Sequence, residues 1–225
     1  LVLWWPRPAA SEGAAESARP SPKRAQFARE KPSRDARRLA DWIVDSGDHR
    51  NLPFVIVDKP NAKVYVFGAG GYVRGSAAAL LGLALGDHTV PGIGERELRD
   101  MSLEERTTPA GRFIAGLGMN FRGEDVLWVD HESGLSLHRV LTTKPEERRL
   151  ERLASVTVKD NRISYGCINV PKSFYEKVVS PTFTGTEGIV YILPDSGPAR
   201  EVFNDAYHTD ATAVGQPLTT TSRGR

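Results

Sequence analysis

The chain has 225 residues, 40% of them hydrophobic, with 30 Lys and Arg against 28 Asp and Glu. That is enough apolar material to fill one core without metal or disulfide support, and one folded domain with loose flanks is expected. The charge is nearly balanced, with no basic stripe interleaved with aromatics, which gives no case for a nucleic-acid partner; a lone cysteine closes no intramolecular disulfide.

The chain opens with "LVLWWPRPAASEG", an apolar run halted at Pro6, which reads as the end of a signal or membrane-anchor segment. No other run approaches the ~20 apolar residues that a spanning helix requires. From Ala9 to about Arg34 the composition is Ala, Ser, Pro and charged residues, too poor in large apolar groups to offset the entropy of ordering, so residues 1–35 are expected to be a remnant followed by a disordered linker. In "DARRLADWIVDSGD", Leu39, Trp42 and Ile43 fall at helical spacing behind an Asp35 cap, and Gly47 stops the helix, so residues 36–52 lead into the fold.

Strand signals follow. "PFVIVD", "KVYVF" and "YVRGS" are separated by turns at "KPNA" and "GAGG", and the glycine cluster opens no helix and lacks the lysine of a phosphate-binding loop. A long loop, "GDHTVPGIGERELRDMSLEE", holds one short helical piece from Glu95 to Met101. "RTTPAGRFIAGLG" reads as a strand that is scaffold, and "DVLWVD" and "GLSLHRV" as two more. "KPEERRLERLAS" reads as a charged helix with Leu150 and Leu153 on one side and Arg148, Arg149 and Arg152 on a solvated face. "PKSFYEKVVSPTF" reads as a helix with Phe174, Val178 and Val179 inward, "GIVYILP" as a closing strand, and residues 196–225 as a flexible polar tail. Many short strands with few short helices predict a mainly β, α+β domain of sandwich or barrel type over residues 53–195.

The single cysteine lies in "NRISYGCINVP". A thiol needs a base or a positive field to become the nucleophilic thiolate, and five histidines are available: His49, His88, His131, His138 and His208. In "GLSLHRV" the alternation sets Leu135 and Leu137 on one face and Ser136 and His138 on the other, at the end of a strand where a side chain is held rigidly. His138 is thus the candidate base, against the alternative of a strand histidine in a structural hydrogen bond. His131, in the preceding turn, reads as solvated, and Asp130, His131 and His138 lack the spacing of a metal site. Around Cys167, Ser164, Gly166 and Asn169 are small or hydrogen-bonding, Gly166 permits a tight turn, and free amides there suit an oxyanion; a cysteine kept for packing would sit in an apolar run instead.

"ISYGCIN", with His138 upstream and "RTTPAGRF" before it, resembles the L,D-transpeptidases, the YkuD-like catalytic domains. Their signature is a histidine, a spacer, Ser or Thr, His, Gly, Cys, an apolar residue and Asn or Arg. Ser164, Gly166, Cys167, Ile168 and Asn169 match in place, "TTPAGRF" looks like the family's Thr-Pro-x-Gly strand, and the likeness runs from about Pro53 to Pro194. Tyr165 stands where the family has its second histidine, and the spacer is lengthened by "TTKPEERRLERLASVTVKDN", which suggests an added helix at the rim of the site.

The resemblance implies a periplasmic or outer-wall cysteine acyltransferase acting as a monomer on peptidoglycan stem peptides, with no cofactor and no metal. Cys167 would attack the carbonyl joining meso-diaminopimelate to terminal D-Ala. His138 would act as base, oriented by the backbone carbonyl of Arg139, and the amides of Gly166 and Cys167, with the Tyr165 hydroxyl, would face the oxyanion. A non-catalytic peptidoglycan-binding domain and a cysteine hydrolase on another acyl donor are the competing readings.

Overall fold

A computed structural model describes residues 23–203. The signal or anchor segment, most of the linker, His208 and most of the tail lie outside the described residues. The fold is mainly β with short helices, as the strand pattern predicts. Among the described residues ten strands form, β1 Phe54–Asp58, β2 Lys63–Phe67, β3 Val73–Ala78, β4 Leu81–Gly82, β5 Gly111–Met119, β6 Asp125–Asp130, β7 Leu135–Arg139, β8 Arg162–Ser164, β9 Ile168–Val170 and β10 Gly188–Ile192. Eight make one sheet in the order β3-β2-β1-β10-β5-β6-β7-β9, and β4 pairs with β8. The sheet curls until Leu80, just past β3, bridges Asn169 in β9, which nearly closes a barrel.

β1 is buried along its whole length because both faces are covered. Val55 and Val57 point into the barrel, where they meet Val64, Val66, Leu127, Leu137, Ile168 and Val170. Phe54 and Ile56 point the other way, into a second core under the helix α1, Arg34–Ser46. That helix buries Ala36, Leu39, Ala40 and Ile43. Its N-cap is Ser33, whose Oγ accepts from the Ala36 amide at 3.1 Å, and Asp35 sits in the first turn instead of capping; Gly47 ends it at φ 71°, donating to the Ile43 carbonyl.

Several elements depart from the sequence pattern. The end of the presumed linker is packed: Ala25 and Phe27 are buried, Gln26 bridges Tyr72, and the Phe27 ring stands edge-on to Tyr65 and Phe67. One aromatic ring in a polar stretch suffices once a hydrophobic face is waiting for it. At the other end, Ala199 and Phe203 bury into the same core, so residues 196–203 are not a loose tail. The piece expected over Glu95–Met101 is two separate 3-10 turns, Ile93–Glu95 and Leu98–Asp100. "RTTPA" is not strand, since β5 begins at Gly111, after Pro109 has removed a ladder donor. The helix after Pro171 runs as Lys172–Phe174, a wider π segment Tyr175–Val179, and Ser180–Phe183. It buries Phe174 and Val179 as expected and is widened just before Pro181, which offers no N–H. Residues 149–154 form the helix α2, but Leu150 is exposed.

Candidate active site

β7 and β9 run parallel, with Leu137 opposite Ile168, His138 opposite Asn169 and Arg139 opposite Val170. Leu137, Ile168 and Val170 fill the barrel, so the strand alternation sends Ser136, His138 and Asn169 to its outer side. Cys167 ends the turn between β8 and β9 and joins them there. Its Sγ lies 3.6 Å from Ser136 Oγ and 3.5 Å from the Gly134 carbonyl, and His138 is near enough to act on the thiol electrostatically. Burial pushes the thiol up, but the His138 imidazole and the Ser136 hydroxyl and amide outweigh it and hold Cys167 below the ordinary thiol range.

Both nitrogens of His138 have defined partners. Nδ1 lies 2.7 Å from the Arg139 carbonyl, which only accepts, so Nδ1 carries the hydrogen. Nε2 lies 3.4 Å from Asn169 Nδ2. This is the tautomer in which Nε2 keeps its lone pair. The Arg139 side chain takes no part here: it pairs with Asp125 and Glu176 and lies over the Tyr175 ring at 4.3 Å.

The turn carrying Cys167 is held from inside. Ser164 Oγ donates to the Cys167 carbonyl at 2.7 Å and accepts the Gly166 amide at 3.1 Å, so that amide is engaged within the turn. Gly166 has φ +139°, and a Cβ there would lie 2.8 Å from the Thr107 carbonyl, so the position demands glycine. Thr108, fully buried, donates from Oγ1 to the Gly166 carbonyl at 2.7 Å and accepts the Gly82 amide at 2.9 Å. The Thr108 carbonyl in turn receives Lys59 Nζ. Lys59 is entirely enclosed, 2.8 Å from Asp87 and 3.4 Å from Asp195, and Arg162 forks onto Asp195. Asp87 is pushed up by burial, but the Lys59 ammonium with the Asp195 and Ser196 amides overrides this and holds it below the usual aspartate range. "RTTPAGRF" is scaffold, and the part of it that matters is one hydroxyl.

Tyr165 stacks under the Arg106 guanidinium at 4.1 Å, and Arg106 also donates to the Met101 carbonyl. Tyr165, Gly166 and Cys167 floor a cleft of about 530 Å³ whose walls include Met101, Thr107 and Gly134 and whose rim carries the Arg96–Glu105 ion pair. His138 borders a second cavity of about 650 Å³, with Asp125, Thr142 and Lys172. Cys167 thus lines one opening and His138 the other.

The other described histidines have surroundings of their own. His49 is buried between the Ile43 and Ala69 carbonyls, His131 is exposed and stacked on Trp128 at 4.7 Å, and His88 is exposed on the loop over the cleft. The reading of Arg148, Arg149 and Arg152 as a solvated face is corrected at one position. The Arg149 side chain is only 10% exposed and donates to Asn169 Oδ1 at 2.7 Å. No local pattern marks it, because its partner is 20 residues away.

No protein-family profile matches the chain, and no curated protein matches it. Among solved structures it is similar to the helical cell shape determining protein Pgp2 from Campylobacter jejuni, with 16% identity, a TM-score of 0.42, and coverage of 71% of this chain and 56% of that one. A lysine-to-alanine mutant of the same protein aligns at 15% identity and TM-score 0.41 over 76% of this chain and 61% of that one. The chain thus spans little more than half the length of those structures.

Proposed function

We propose that the protein is a peptidoglycan-modifying cysteine L,D-transpeptidase of the bacterial envelope. The observation that carries the reading is the Cys167 thiol lining an open cleft, with the Asn169 amide joining its backbone carbonyl to an imidazole whose other nitrogen is tied to the Arg139 carbonyl. A packing cysteine has no use for that pair. The SYGCIN motif supplies the donor: a tetrapeptide stem entering past Thr107 and Met101 with its diaminopimelate–D-Ala bond at Sγ.

In this reading Sγ attacks the carbonyl carbon as its proton passes to His138 Nε2. The oxyanion falls to the Cys167 amide, because the Gly166 amide is already given to Ser164. His138 returns the proton to the departing D-Ala amine, leaving a thioester on Cys167. An acceptor amine then enters from the second cavity, on the His138 side, loses its proton to Nε2 and displaces the thiol, which leaves a cross-link. Water in place of that amine makes the same site a carboxypeptidase.

The test is to incubate the protein and Cys167→Ala with purified disaccharide tetrapeptide, following intact protein mass and soluble products. An acyl adduct with D-Ala release, absent from the variant, supports the nucleophile; a cross-linked dimer or a tripeptide then separates transfer from hydrolysis. Binding of the stem with neither adduct nor product would instead leave a peptidoglycan-binding domain. Iodoacetamide alkylation of Cys167 should reach half its limiting rate below the ordinary thiol value of about 8.5; a midpoint at or above that value would contradict the His138 contact.

A further inference from the structure

The inserted segment 142–161 carries five arginine and glutamate side chains that bond to one another or to its own backbone. Arg152 donates to the Glu147 carbonyl at 2.9 Å and to the Asp160 carbonyl at 3.0 Å, drawing the two ends of the segment together. Arg148 pairs with Glu151, and the Glu147 carboxylate holds Arg149 Nε. Asn161 anchors the far end by donating to the Ala79 carbonyl at 3.1 Å. This bracing leaves Arg149 NH1 as the donor aimed inward, onto Asn169 Oδ1.

That bond determines how the Asn169 amide lies. A guanidinium has only donors, so the group facing it must be Oδ1; a carbonyl only accepts, so the group facing the Cys167 carbonyl at 3.1 Å must be Nδ2. The two requirements are independent and agree. With the amide so fixed, Nδ2 also reaches toward His138 Nε2 at 3.4 Å. One buried amide therefore touches both members of the pair, the backbone of Cys167 and the ring of His138, and its orientation is set by a residue of the insertion.

We propose that Arg149 is a positioning residue for the Cys167–His138 pair, acting through Asn169, and that segment 142–161 serves to deliver it. Without the guanidinium, Oδ1 loses its partner and the amide is held through Nδ2 alone, so the side chain can swing about that one remaining anchor. The turn and the ring then lose their common reference. This inference rests on the nucleophile reading above, but its test does not need the substrate.

The measurement is the iodoacetamide alkylation rate of Cys167 at neutral pH, with the ultraviolet absorbance of the thiolate recorded alongside to separate ionisation from access. It is made on the full chain for Arg149→Ala, Arg149→Lys, Asn169→Ala and the Arg149→Ala/Asn169→Ala double variant, each checked for a cooperative thermal transition. Arg149→Ala should slow alkylation about tenfold or more and lower the thiolate signal, as displacing a reacting group does. Arg149→Lys, which keeps a charged donor without the planar fork, should recover part of the rate. Asn169→Ala should match Arg149→Ala, and the double variant should be no slower than either single one.

A wild-type rate in Arg149→Ala overturns the proposal. So does an undiminished Arg149→Ala effect in the Asn169→Ala background, which would make Arg149 a charge acting through space. Should Arg149→Ala fail to fold, Glu147→Gln keeps the question open to refutation. It leaves Arg149 in place but weakens its support, so it should slow alkylation by a smaller factor, and no change at all would count against the brace. His138→Ala alkylating at the wild-type rate would sink the underlying nucleophile reading, a failure distinct from that of Arg149.

Discussion

Two sets of cationic contacts hold the Cys167 turn, one around Lys59 and Arg162 and one made by Arg149, and they are built differently. On one side Lys59 and Arg162 face Asp87 and Asp195, charge against charge, sealed at the junction of β1, β8, β10 and the loop before β5. Their influence reaches the turn through the Thr108 backbone and hydroxyl. On the other side Arg149 places one arm on a neutral amide and the other on Glu147, within a short insertion at the rim. An enclosed charge with an enclosed counter-charge is costly to break, because removing one partner strands the other without water. Removing the guanidinium at the rim strands a neutral oxygen and a Glu147 carboxylate that is partly exposed and still paired with Lys144. The first arrangement thus belongs to stability, and the second to the geometry of the site.

The comparison breaks most sharply at Lys59. Lys59→Met should cost about 3–5 kcal/mol in urea or thermal unfolding, since Asp87 loses its ammonium partner and Asp195 keeps only Arg162. A loss below about 1 kcal/mol would mean that this network does not hold the junction. Thr108→Val keeps the shape and removes both hydroxyl bonds, orphaning the Gly82 amide and the Gly166 carbonyl at about 1–3 kcal/mol each. Its alkylation rate should fall too, which distinguishes a loosened turn from a loosened domain.

Arg149→Ala, by contrast, should shift unfolding by about 1–2 kcal/mol, the cost of one orphaned amide oxygen, while its effect on the thiol is large. Equal losses in Arg149→Ala and Lys59→Met would erase the distinction between the two sides. The smallest effect expected is in acid. Because Asp87 is held below its unfolded value, its contribution is fully present above the ordinary aspartate pKa of about 3.9 and is lost as pH falls through the folded value. Asp87→Asn should therefore narrow its stability gap to wild type below about pH 4, and a gap independent of pH would contradict the ion pair.

The local motif around Cys167 and the alternation of "GLSLHRV" were enough to select the thiol and its histidine from the sequence, since each depends on residues a few positions apart. Asn169 was legible for the same reason. Thr108 and Arg149 were not. Thr108 sat in a stretch readable only as scaffold, and its partner Gly166 is 58 residues on. Arg149 looked like any arginine on a charged helix, and its burial depends on how the insertion folds back. Phe27 was lost in a linker for a similar reason: its ring has no local neighbour, and its contacts, Tyr65 and Phe67, belong to a strand formed much later in the chain.

The sequence by itself determined the β-rich class, the strands whose side chains alternate, the helix that Gly47 stops, and the Cys167–His138 candidate pair. These follow from steric and hydrophobic preferences that act over two to four residues. Only the tertiary structure decided which side of β7 and β9 faces the barrel, that Lys59 meets Asp87 and Asp195, and that an insertion reaches the site through Arg149. Those contacts join segments far apart in the chain. A buried charge carries no local mark of its partner, because what pairs it is the exclusion of water when the elements close around it.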